Sequence, residues 1–205
     1  MTTLLVRGGS VVDGTGAPAR AADLGIRDGR IAAIGDLSGT RADREIDARG
    51  LCVAPGFIDI HSHSDHTMFV DDTLSSALHM GVTLVVMGNC GGSSAPVAGL
   101  AADELDRELE PYGVRRTWAT FGEYALAVER RGCSINVCSL VGHGTLRAAV
   151  TGAAARPLRP DELELMRSLL DRAMAEGAVG LASGLIYPPS AYGDTASAAS
   201  SAVSP

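Results

Sequence analysis

The sequence predicts an α/β fold in which a short β-rich segment precedes repeated strand–loop–helix units. Three observations carry that expectation. Residues 1–50 hold short strand-like runs separated by Gly- and Asp-rich turns. From residue 51 apolar strands alternate with helical stretches, and each strand runs into a Gly-rich loop that carries the polar side chains. Strands joined through helices lie parallel, and polar strand ends are where a (β/α)-barrel keeps its chemistry. An open doubly wound sheet also places ligands there, so the pattern alone leaves both windings open.

In residues 1–50, Leu4–Arg7, Gly9–Val12 and Leu24–Arg27 read as strands, and Asp28-Gly29 reads as a hairpin turn into a strand over 30–35. Asp13-Gly14-Thr15-Gly16 lacks the glycine pattern and the following helix of a phosphate loop, so it reads as a turn. The next stretch organises the rest of the chain. Val53 to Ile60 is apolar and β-branched enough for a buried strand, interrupted only at Pro55-Gly56, and it runs into His61-Ser62-His63-Ser64-Asp65-His66. A short helix over 73–79 stops at Gly81, and a second strand, 82–87, ends in Gly88-Asn89-Cys90-Gly91-Gly92. Residues 98–132 are helical with a break near Pro111, and a third strand, 135–141, ends in Gly142-His143-Gly144. Pro160 to Glu176 is the clearest helix. Pro160 suits its first turn, Asp161, Glu162 and Glu164 complement its N-terminus, and Gly177 stops it. Leu163, Met166, Leu169, Leu170, Ala173 and Met174 form its expected buried stripe. A fourth strand, 178–182, leads into Ser183–Pro189. Over 190–205 five alanines and five serines replace any periodicity, which predicts a disordered tail. The domain reading is a small β-rich segment at 1–50, an α/β body at 51–189 and the tail at 190–205.

Composition narrows the function. Of 205 residues 46 % are hydrophobic, enough for a real core, whereas aromatics are only 4 %. A net charge of −7 with no basic stripe argues against nucleic acid as a partner. No apolar run reaches the length of a membrane span and no secretory signal opens the chain, so a cytoplasmic location is expected. Cys52, Cys90, Cys133 and Cys138 lack a Cys-x-x-Cys spacing and read as free thiols. All 17 basic residues are arginine.

The candidate site follows from strand geometry. Alternation puts His61 and His63 on one side of a strand end, where two imidazoles can grip one cation; the bland alternative is a hydrogen-bonded core pair. A zinc site takes at least three protein ligands in most cases, and Cys90, ending the adjacent strand, is the third candidate. Bound to metal it would be a thiolate; unbound, it would be a small buried hydrophobe in a glycine turn. His66 falls on the opposite parity and reads as a loop residue. His143, between two glycines, is open to the roles of ligand, outer donor, substrate contact or ordinary loop-end imidazole. Ile186 and Tyr187 follow the fourth strand and are expected to wall a substrate, or else to pack beneath Pro188-Pro189.

Pro55-Gly56-Phe57-Ile58-Asp59-Ile60-His61-Ser62-His63 resembles the metal motif of the amidohydrolase superfamily. Gly88-Asn89-Cys90-Gly91, Val141–Arg147 and Gly184-Leu185-Ile186-Tyr187-Pro188-Pro189 resemble its N-acyl-D-amino-acid deacylase (D-aminoacylase) branch, in family order over about residues 3 to 192. The resemblance implies a small β-sandwich formed in part by 1–50, the first half of a (β/α)-barrel with about four strands, and Zn2+ on His61, His63 and Cys90. It implies hydrolysis of the amide of a small-molecule N-acyl-D-amino acid substrate. Related hydantoinases and dihydroorotases bridge two metals with a carboxylated lysine, which a chain without lysine cannot supply. The family's later metal histidines and its catalytic aspartate have no counterpart after His143, so no catalytic residue is assigned, and the chain reads as an N-terminal portion that is inactive alone. The rival readings are a cyclic-amide hydrolase and a non-catalytic metal-binding piece.

Overall fold

The computed structural model describes residues 2–193 and divides into two compact units, one ending at Gly56 and one beginning at Phe57. The first unit is a five-stranded sheet of β1 (Thr2–Val11), β2 (Arg20–Arg27), β3 (Arg30–Gly35), β4 (Ala42–Asp47) and β5 (Cys52–Val53). The order is β3-β2-β1-β4, with β5 also beside β1. Asp28 and Gly29 both take positive φ, as the tight β2–β3 turn requires. The two strands expected over 4–12 are one strand with a bulge between Val6 and Gly9. Gly8 supplies the left-handed residue there, and its N–H donates to Asp23 Oδ1 at 2.8 Å. Arg7 holds β4 and the loop before it. Its guanidinium makes two 2.8 Å bonds to Glu45 and donates to the carbonyls of Leu37 and Thr40. Because Cys52–Val53 pairs with β1, the first unit reaches past the expected boundary at residue 50.

The second unit runs through β6 (Phe57–Asp59), α1 (Ser75–His79), β7 (Val82–Met87), α2 (Gly99–Leu109) and α3 (Phe121–Arg131). It continues with β8 (Asn136–Ser139), β9 (Val141–Gly142), α4 (His143–Thr151), α5 (Pro160–Ala175) and β10 (Leu181–Ala182). β6, β7 and β8 pair in parallel in that order, and β9 pairs in parallel with β10. Backbone bonds from Leu140 N–H to Met87 O and from Val179 N–H to Ser139 O carry the register across the break at Leu140. The strands therefore follow one another in chain order without reversal, as successive staves of a (β/α)-barrel do and a doubly wound sheet does not.

Several local expectations need correction. Val53 to Ile60 is not one buried strand: it breaks at Ala54-Pro55-Gly56, and β5 and β6 fall in different units. Phe57, Ile58 and Ile60 are 64 %, 60 % and 74 % exposed, because too little of the described chain packs over the faces of β6, an edge strand whose one ladder partner among the described residues is β7. The third expected strand splits into β8 and β9, and the fourth shortens to two residues. On α5, Met166, Leu170 and Ala173 are buried as the stripe requires, but Met174 is exposed. Glu162 does more than complement a helix end. It is buried, accepts Arg159 N–H at 2.8 Å, and forms 2.7 Å bonds to both terminal nitrogens of Arg156. Residues 190–193 do not belong to a tail, since Ser190–Tyr192 form a 3-10 turn with Ser190 buried. The remainder of the expected tail, 194–205, lies outside the described residues.

The core of this unit gathers Met87, Leu109, Leu146, Met166 and Leu170 between the strands and helices. Phe69 stacks on Trp118 at 4.7 Å, and Tyr124 lies against both. Trp118 also donates its indole N–H to Ser94 O at 2.8 Å, which fixes the loop after β7 from below. α3 begins with a reciprocal cap between Thr120 and Glu123. No described helix is long and apolar enough to cross a membrane.

Candidate metal centre

The loop after β6 is shaped by its own polar side chains. Asp59 Oδ1 accepts the His61 N–H at 3.0 Å, turning the chain as the strand ends. Ser62 N–H continues the ladder to Val86 O, so the buried Ser62 anchors the loop while His61 and His63 stand exposed on either side of it. Asn89, buried after β7, donates to Ser62 O at 3.2 Å and to Val86 O at 2.8 Å. One amide thereby ties the two strand-end loops together, and the next residue is Cys90.

Cys90 has φ of +56°, a left-handed conformation that a residue with a Cβ adopts only when its surroundings enforce it. A Cβ on Gly184 would stand 2.0 Å from the Cys90 carbonyl oxygen, and one on Gly142 would stand 2.5 Å from that of Gly91. Only glycine lets these three strand-end loops close on one another. The result places Cys90 Sγ 3.2 Å from His61 Nε2, with the rings of His61 and His63 5.4 Å apart. Ligand atoms of His61, His63 and Cys90 all lie within 4.8 Å of one another. Nitrogen and sulfur ligands on one tetrahedral zinc sit about 3.3–3.6 Å apart, from bond lengths of about 2.0–2.3 Å. The trio is therefore close to the spacing of a shared ion, needing only a side-chain adjustment, and its two imidazoles and thiol are the donor set zinc favours.

A cleft of about 360 Å³ opens beside the trio, lined by His63 and Cys90, by Asp65, Glu104 and Glu108, and by Tyr187 with Ser190. Burial pushes the Asp65 carboxyl up to about 6, against the opposing pull of the Gly88 and Ser94 amides. Tyr124 donates its hydroxyl to the Asp65 carbonyl at 2.7 Å. His66 lies in the loop, 3.9 Å from Glu108. Of the other sequence candidates, Tyr187 lines the cleft, whereas His143 and Ile186 do not. Ile186 is 80 % exposed. His143 opens α4, is 1 % exposed, and bonds through Nδ1 to Ser190 Oγ at 3.0 Å. Burial first, and then the Arg147 charge, hold its pKa below the ordinary value. The sequence reading assigned no role to Asn89, Ser190 or Trp118. Asn89 was legible as a polar residue at an apolar strand's end; Ser190 was hidden in a serine-rich stretch.

The family model described as "Amidohydrolase family" matches residues 44–195. D-aminoacylase from Alcaligenes xylosoxydans xylosoxydans is 43 % identical over 192 residues, covering 94 % of this chain and 40 % of that protein. N-acyl-D-glutamate deacylase from the same organism is 45 % identical over 197 residues, covering 94 % of this chain and 39 % of that protein. A crystal structure of D-aminoacylase superposes with a TM-score of 0.89 at 40 % identity, over 98 % of this chain and 42 % of the other. N-acyl-D-glutamate deacylase from Bordetella bronchiseptica, solved with zinc and a phosphonate inhibitor, gives 0.87 at 39 %, over 97 % and 42 %. The chain thus spans about two fifths of the length of these relatives. With a family match over most of its length, this chain belongs to the amidohydrolase family.

Proposed function

We propose that His61, His63 and Cys90 hold zinc and that the protein acts in hydrolysis of the amide bond of N-acyl-D-amino acids. The observation that carries this reading is the convergence of three ligand atoms within 4.8 Å at the C-terminal ends of two neighbouring parallel strands. The names of relatives about two-fifths identical, deacylases of N-acyl-D-amino acids, supply the substrate class. When bound, zinc would polarise the scissile carbonyl and lower the pKa of an attacking water. His61 and His63 would donate neutral imidazole nitrogens and Cys90 a thiolate, while Tyr187 would wall the cleft against the substrate. His143 acts from beneath that wall rather than on the substrate. Ile186, exposed beside Tyr187, would reach substrate only by a rearrangement of its turn. The resemblance puts the catalytic aspartate on a later strand than any described here, so none of the cleft carboxylates, Asp65, Glu104 and Glu108, is assigned as general base. The 205-residue chain is therefore expected to bind zinc without turnover.

Equilibrium dialysis of metal-stripped protein against zinc, followed by assay with N-acetyl-D-methionine, tests both parts. Near-stoichiometric zinc that is lost in His61→Ala, with no D-methionine released, is the expected result. Absence of zinc binding, or binding untouched by His61→Ala, would refute the site. Zinc-dependent turnover by this chain would refute the assignment of the general base elsewhere.

A further inference from the structure

Cys90 is held in its left-handed conformation from outside its own loop. The turn beginning at Ser183 lies against it: Gly184 abuts the Cys90 carbonyl so closely that any Cβ would collide, and a Cβ on Gly91 would come within 2.8 Å of the Gly184 nitrogen. From Gly184 the turn is wound by its own backbone. Tyr187 N–H donates to Gly184 O at 3.0 Å, and Ala191 N–H donates to Tyr187 O at 2.9 Å. Its far end is fastened to α4, where Ser190 Oγ bonds His143 Nδ1 at 3.0 Å and the Tyr192 carbonyl accepts from Arg147. Both members of the His143–Ser190 pair are at most 2 % exposed.

Burying an imidazole is costly unless its nitrogens are bonded, and a hydrocarbon would fill the same volume without that cost. His143 Nε2 is buried with no hydrogen-bond partner among the described residues, so the ring's polar contribution is made through Nδ1 alone. We propose that His143 is a positioning residue for Cys90: by holding Ser190 it sets the turn from Ser183 to Tyr192, and Gly184 in that turn keeps the Cys90 sulfur facing His61. The inference rests on the reading of the trio as a metal site. It assigns His143 no contact with substrate or metal, in keeping with its absence from the cleft wall.

Three variants of the full chain separate this role from simple packing. His143→Asn keeps a polar group near the Nδ1 position and discards Nε2; His143→Ala removes both; Ser190→Ala removes the other end of the bond and changes the least volume. Without metal, hydrogen exchange by mass spectrometry over 88–94 and alkylation of Cys90 by iodoacetamide report on the Cys90 loop. Loss of one buried hydrogen bond predicts a rise of about tenfold in both rates for His143→Ala and Ser190→Ala, with near-wild-type rates for His143→Asn. Cobalt(II), whose thiolate charge-transfer band reports a Cys90 bond directly, should bind about tenfold more weakly in the first two variants and normally in the third. Unchanged rates at 88–94 in Ser190→Ala would overturn the proposal, as would His143→Asn behaving like His143→Ala while remaining folded. If His143→Ala does not fold, Ser190→Ala and His143→Asn still decide the question. A wild-type chain that binds no cobalt would sink the metal reading, while the metal-free rates would still test the brace.

Discussion

The rim of the second unit and the body beneath it are built on different terms. At the rim, the loops after β6 and β7 expose His61 and His63 and hold their shape through a few polar bonds and close glycine contacts. In the body, α4 and α5 bury Leu146, Met166 and Leu170 almost completely, and even the charged groups Arg147 and Glu162 are enclosed. Two histidines show the contrast within one residue type: His63 lines an open cleft, whereas His143 is sealed under a turn. Chemistry and stability are therefore carried by different atoms, and substitutions should separate them.

Gly184 is where the separation should break. Gly184→Ala drives a Cβ into the Cys90 carbonyl, so it is expected to cost about 3 kcal/mol of stability and to abolish metal binding together, the upper range of overpacking effects. Urea titration and zinc dialysis of the same preparation check this; retention of either property would show that rim and body are less tightly joined here than the contact implies. Leu170→Ala should act on the body alone, costing about 2–5 kcal/mol with zinc affinity unchanged in the folded fraction, while the exposed Met174→Ala should cost under about 1 kcal/mol.

Cys90→Ser should do the reverse. Zinc affinity should fall at least about 100-fold, exceeding the loss from removing an outer partner, with the urea midpoint nearly constant. The partly buried Cys133, outside the trio, serves as control, and Cys133→Ser should leave zinc binding as it is. A smaller effect belongs to pH. The Arg156 hydrogen bond, with the Arg159 amide, holds Glu162 at about 2, below the ordinary 4.5. Its folded pKa is depressed, so its contribution is complete above about 4.5 and is lost as pH falls towards 2. Glu162→Gln should flatten the stability profile across that window and leave the zinc site intact at neutral pH; an unchanged slope would mean the pair adds nothing.

Much of this division was legible in the sequence. Alternation at an apolar strand end singled out His61 and His63, and the glycine loop after the next strand singled out Cys90, because parallel strands bring their C-terminal ends together whatever their helices do. Val82–Met87 matched its strand to the residue, since a continuous apolar run between Gly81 and Gly88 has little room to shift. Phe57, Ile58 and Ile60 were misjudged because hydrophobicity records a tendency to be covered and does not say which neighbour does the covering. The pairing of His143 with Ser190 was invisible for another reason. It spans 47 residues, and no local periodicity reports a contact between a helix start and a turn so far along the chain.

The first sheet has a consequence in time. β1 is paired along one edge by β4 and then by β5, so its ladder cannot be completed until residue 53 is available. Synthesis at about 5–20 residues per second delivers that residue within several seconds of the first. Every strand of that sheet precedes His61 in the chain, so its backbone partners are all made before His61 or His63 is added. A newly made chain can thus satisfy the hydrogen bonds of its N-terminal unit while the loops after β6 and β7 are still sheltered by the ribosome.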